Sequence, residues 1–78
     1  MSKSATFTLN RKISQLLAAE RKKRDQTQAE VATKLKKPQS FVSKYENGQR
    51  QLSAADFVSV CKALGISSAS ILNAIDKY

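Results

Sequence analysis

Residues 27–48, TQAEVATKLKKPQSFVSKYENG, hold two short helical patterns separated by a break, and their reading decides the fold. Thr27 followed three positions later by Glu30 is a capping box, in which hydroxyl and carboxylate each accept from an amide that a helix start leaves free. Val31 and Leu35, four apart, give this helix a buried face. Lys36-Lys37-Pro38 ends it, because proline disfavours helical conformation in the residue before it while its own fixed φ suits the edge of a new helix. The next helix begins near Gln39 and closes at Asn47-Gly48, where glycine can turn left-handed.

Working outward, Ile13, Leu16 and Leu17 mark one face of a first helix from about Asn10, which fades into the charged stretch 20–25. Ser53 caps a fourth helix with Phe57, Val60, Cys61 and Leu64 inward and Gly65 at its end. A fifth starts around Ser68 and carries Ile71, Leu72 and Ile75. The expectation is all-α: five short helices in one compact domain over residues 10–78, with residues 1–9 a flexible tail and no strand. A chain of 78 residues supports one core, not two.

The helix from Gln39 has two unlike sides. Advancing about 100° per residue from Val42, Tyr45 falls at about −60° and Glu46 at about +40°, whereas Ser43, Asn47, Ser40 and Lys44 occupy about 100° to 200°. The first three mark a buried side, and the other four form a small, polar face suited to base edges in a groove. Phe41 lies on the flank, where it either packs on the second helix or touches a thymine methyl.

Charge is distributed unevenly. Of the 14 basic and 6 acidic residues, net +8, residues 1–50 hold twelve basic and four acidic, and residues 51–78 hold two of each. The first part is fitted to a polyanion, and the neutral remainder to packing or self-association. No apolar run approaches the roughly 18 residues of a bilayer span, and the start lacks the apolar stretch of a secretory signal, so the expected location is cytoplasmic, with no membrane partner. Cys61 is alone, so no internal disulfide forms, and the absence of histidine leaves zinc unsupported. Without histidine, a glycine-rich phosphate loop or a recognisable carboxylate pair, the chain reads as no enzyme and as needing no cofactor.

The segment from Thr27 to Gly48, with Lys62-Ala63-Leu64-Gly65-Ile66 closing the fourth helix, resembles the Cro/phage-repressor helix-turn-helix family, also called XRE-like, over most of residues 12–75. The resemblance implies a five-helix lambda-repressor-like domain whose helix-turn-helix spans about 27–47, with the third helix in the major groove of double-stranded DNA. By that resemblance Gln39 is the position that commonly contacts adenine through its carboxamide. Lys44 reaches guanine or a phosphate, while Ser40 and Ser43 read bases weakly. Gln28 matches the residue that clamps a phosphate at the start of the second helix. Lys37, Asn47, Gln49 and Arg50 extend the backbone grip, and Arg21 and Glu46 occupy positions that pair in some members.

Two departures bear on the geometry. Lys36 stands where the turn usually has glycine, which costs on the order of 1 kcal/mol if a left-handed conformation is kept. Pro38 replaces the usual Ser or Thr cap. The resemblance also implies a homodimeric regulator on a two-fold operator; Ile71, Leu72, Ile75 and Tyr78 have the spacing of a dimer patch, although residues placed as Ile71 and Ile75 are more often core. The competing readings are an antitoxin-like module that holds a protein partner and a nonspecific nucleic-acid binder.

Overall fold

The computed structural model describes residues 2–76, with side chains from Thr8 onward. Five helices follow in order: α1 (Ser2–Lys23), α2 (Gln28–Leu35), α3 (Gln39–Glu46), α4 (Ala54–Leu64) and α5 (Ser68–Asp76), with no strand among the described residues. The all-α expectation holds. Thr27 accepts from the Glu30 amide and the Glu30 carboxylate accepts from the Thr27 amide, so the capping box forms in full. Ser53 caps α4 through the Asp56 amide.

The helices α1 to α4 end in the same way, although only two of the four use glycine. Asp25, Lys36, Gly48 and Gly65 all have positive φ, between 55° and 84°. At each end, the residue after the left-handed one donates its amide five positions back: Gln26 to Arg21, Lys37 to Ala32, Gln49 to Lys44 and Ile66 to Cys61, at 2.9–3.1 Å. This paired closure satisfies carbonyls that a helix end leaves free. Lys36 therefore does adopt the strained turn, and Pro38 begins α3 with no side-chain cap.

One boundary differs from the sequence reading. Residues 2–9, expected as a flexible tail, continue α1. They contain neither glycine nor proline, and extending a helix already fixed by packing needs no new nucleation.

Leu17, Val31, Val42, Tyr45, Val60, Cys61, Leu64 and Ile71 form the centre of the core, joined by Ala32 and Phe41. Fully burying a side chain of this size contributes about 1.5–3 kcal/mol. α2 packs on α3 and α4, while α1 lies against α5 and α3. The α2–α3 pair is thus braced from behind and leaves one side of α3 open.

Candidate nucleic-acid interface

The open side of α3 is the one its periodicity marks out. Val42 and Tyr45 are buried, whereas Gln39, Ser40, Lys44 and Asn47 are exposed and Ser43 is partly so. Ser43 donates to the Ser40 carbonyl at 3.2 Å, which folds its hydroxyl back on the helix and leaves the longer Gln39 and Lys44 as the reaching side chains. The face is small, polar and without a carboxylate.

The carboxylate at the end of α3 is turned inward and neutralised. Glu46 receives the Arg21 guanidinium at two points, Nε to Oε2 at 2.6 Å and Nη2 to Oε1 at 3.0 Å, with both side chains largely buried. The pair anticipated between helix one and the end of helix three therefore forms. It raises the Arg21 pKa, chiefly through the hydrogen bond to Glu46, so the guanidinium stays charged. Arg21 also donates to the Gln26 carbonyl at 2.8 Å, which ties the same group to the α1–α2 turn.

Gln28 is held by this cluster too. Its Nε2 donates to Glu46 Oε1 at 3.0 Å, which spends one amide hydrogen of the residue expected to clamp a phosphate. Gln28 is the first residue of α2, at the helix start where a phosphate clamp was expected.

Phe41 packs: it is 9% exposed and meets Tyr45 edge-on with ring centroids 5.7 Å apart. Its ring also organises two cations. Lys37 Nζ lies 5.5 Å and the Arg50 guanidinium carbon 4.8 Å from its centroid, one before α3 and one after it. Arg50 is further placed by Asp56, at 3.7 Å. Asn47 Oδ1 accepts from the Gln49 amide at 3.1 Å, fixing the turn that presents Gln49 and Arg50. The structure thus brings Lys37, Asn47, Gln49 and Arg50 around the ends of α3.

Sequence reasoning missed Arg11. Its Nη1 donates to the Asn47 carbonyl at 2.9 Å across a separation of 36 positions, a contact that no local pattern signals. At the far side of the domain, Ile71 is buried in the core, so it belongs to the protomer and not to a surface patch. Leu72 is 48% exposed and Ile75 partly buried, while Tyr78 lies outside the described residues. Cys61 is buried, and its burial pushes the thiol pKa up, the reverse of what a nucleophile needs. No cluster of metal-ligating side chains occurs among the described residues. No single described helix is long and apolar enough to cross a membrane.

Residues 17–71 match the helix-turn-helix family profile, a span that contains α2, the turn and α3. The chain belongs to the XRE-type helix-turn-helix family. Members of this family are DNA-binding transcription regulators, not typically enzymes. Among solved structures, the chain is similar to an XRE-family like protein from Pseudomonas syringae pv. tomato str. DC3000, with 32% identity over 97% of this chain and 93% of that one and a TM-score of 0.92. It is similar to the clp gene regulator ClgR from C. glutamicum, with 28% identity over 88% and 90% of the two chains and a TM-score of 0.81. It is also similar to the restriction-modification controller protein C.AhdI from Aeromonas hydrophila, with 26% identity over 82% and 96% and a TM-score of 0.74. No curated protein matches the chain. As an XRE-type domain, it carries its exposed α3 face and its basic surplus on the same helix-turn-helix half.

Proposed function

We propose that this XRE-type domain is a sequence-specific regulator that reads duplex DNA by laying α3 in the major groove. The observation that carries the reading is the division of α3: Val42 and Tyr45 anchor one side in the core while Gln39, Ser40, Lys44 and Asn47 face outward with no acid among them. Gln39 is the first candidate for base readout, through paired bonds to the adenine N6 and N7 edge, and Lys44 contacts guanine or phosphate. Gln28, Lys37, Asn47, Gln49 and Arg50 grip the backbone and set the register, with Ser40 and Ser43 close against the base edges.

The protein acts in this reading as a homodimer on a palindromic operator, its copies meeting through Leu72, Ile75 and Tyr78 at the near-neutral C-terminal part. Two recognition helices then enter successive major-groove faces roughly 34 Å apart. The reading needs no cofactor and places the protein in the cytoplasm with its DNA. The relatives named as a gene regulator and as a restriction-modification controller support a regulatory role.

Selection from a random duplex pool at about 150 mM salt, where nonspecific binding is already weakened, tests this directly. The expected outcome is a palindromic site with half-sites about 10 base pairs apart, relaxed or lost in Gln39→Ala. An unenriched pool with folded protein overturns the reading and directs the search to a protein partner.

A further inference from the structure

Beyond the helix-turn-helix itself, α1 contributes a cation to the same end of α3. Arg11 is exposed, yet it is not free to wander: its Nη1 is fixed on the Asn47 carbonyl at 2.9 Å. The side chain lies directly over Gly48. A Cβ built on Gly48 would collide with Arg11 Nη1 and crowd Cδ at 3.0 Å and Cζ at 3.2 Å, so only a residue without a side chain lets the guanidinium rest there. Arg11 and Arg50 then line one small cleft of about 60 Å³, together with Asn10, Ser14, Gly48 and Gln51.

A guanidinium carries five donors in a rigid fork, and the bond to Asn47 uses one of them. The others belong to a charge already oriented at Asn47 and Gly48, so little side-chain entropy remains to be lost when an anion arrives. Arg50 lines the same cleft, and its guanidinium, held over Phe41, adds a second positive charge to this end of α3, of the kind a phosphodiester oxygen binds. Asp56 pairs with Arg50 at 3.7 Å and is not among the residues that line the cleft.

We propose that Arg11, with Arg50, forms a backbone-phosphate site at the C-terminal end of α3, contributed by the first helix and spanned by Gly48. The inference rests on the reading of the domain as a duplex-DNA binder. A phosphate contact carries no base information, so its loss acts on all sequences alike.

The test measures affinity for the selected duplex and for an unrelated duplex, as a function of salt, for wild type, Arg11→Ala and Arg11→Lys. Arg11→Ala is expected to weaken both duplexes about 5- to 10-fold at 150 mM salt, to leave their ratio unchanged, and to lower the salt slope by about 1. Arg11→Lys is expected to keep the slope. Each variant's folding is checked by its thermal transition, and the comparison is read only at temperatures where all are folded. An unchanged slope in Arg11→Ala, or a changed ratio between the duplexes, overturns the site and leaves Arg11 as a brace for the α3 terminus. Wild type that binds neither duplex overturns the DNA reading itself, and the site with it.

Discussion

Arg21 and Glu46 form a two-point ion pair that fastens the first helix to the end of the third, and the same carboxylate oxygen that accepts from Arg21 Nη2 accepts from Gln28. Three elements of the DNA-binding half therefore meet at one carboxylate. Removing one partner leaves the other charge largely buried and uncompensated, which costs about 3 kcal/mol or more. For a domain of this size, a loss of that order is a large share of the total stability. Glu46→Ala and Arg21→Ala are each expected to lower the urea midpoint strongly, while Arg21→Met with Glu46→Met recovers much of the loss. A double variant as unstable as the two single losses added together would contradict this account.

Two buried groups, on α3 and α4, contribute to the alkaline limb of stability. Burial raises the pKa of both Tyr45 and Cys61 above their ordinary values. The folded protein thus keeps these protons to higher pH than the unfolded chain does, and the unfolded state binds fewer protons above the ordinary ranges of about 8.5 for Cys and 10 for Tyr. Their contribution is present in full below about pH 8.5 and is lost as pH rises beyond it. Denaturation followed from pH 7 to 11 is expected to show this decline, with a shallower fall above pH 10 in Tyr45→Phe.

Tyr45→Phe should also be tolerated at neutral pH. The Tyr45 hydroxyl is buried and has no hydrogen-bond partner among the described residues. Its removal discards a desolvation cost and keeps the ring contact with Phe41, so stability is expected to stay level or rise by about 1 kcal/mol. A clear loss in a denaturant titration would show that the hydroxyl is satisfied in solution.

Lys36 stands in the left-handed turn at φ 59°, closing α2. Glycine adopts that conformation without the Cβ clash, so Lys36→Gly is expected to stabilise by about 0.5–1 kcal/mol, after allowing for the extra freedom of glycine in the unfolded chain. In a chain this short, that is a rise of a few degrees in Tm, on the order of 4 °C. An unchanged or lower Tm would mean that the lysine side chain contributes as much as its backbone costs.

The two glycines offer a matched comparison. Gly48 and Gly65 have φ of +84° and +80°, but a Cβ at Gly65 meets nothing within 4 Å while one at Gly48 meets Arg11. Gly65→Ala is expected to cost about 1 kcal/mol from backbone strain alone. Gly48→Ala adds displacement of Arg11 from Asn47, and in an Arg11→Ala background the two glycine substitutions should become equal. Equal costs in the wild-type background would show that Arg11 moves aside freely.

What the sequence determined by itself lies within short reach along the chain. The capping box at Thr27 and Glu30, the break at Pro38, the cap at Ser53 and the closure at Gly65 depend on residues three to five positions apart. Backbone geometry there follows from hydrogen-bonding groups and steric limits that need no distant partner. The side of α3 that faces out was legible for a related reason, since a helix fixes the direction of each side chain relative to its neighbours.

Tertiary structure alone decided the rest. Asp25 is of a residue type that tolerates the left-handed conformation without demanding it, and the absence of breakers in residues 2–9 does not by itself reveal how far α1 extends. The choice of Ile71 for the core over a surface patch came from how α5 seats on the domain. The bond from Arg11 to the Asn47 carbonyl, the hold of Glu46 on Gln28 and the stacking of Lys37 and Arg50 on Phe41 each join groups from separate elements or from opposite ends of α3. Such contacts depend on where helices come to lie in space, and packing of the whole core fixes that.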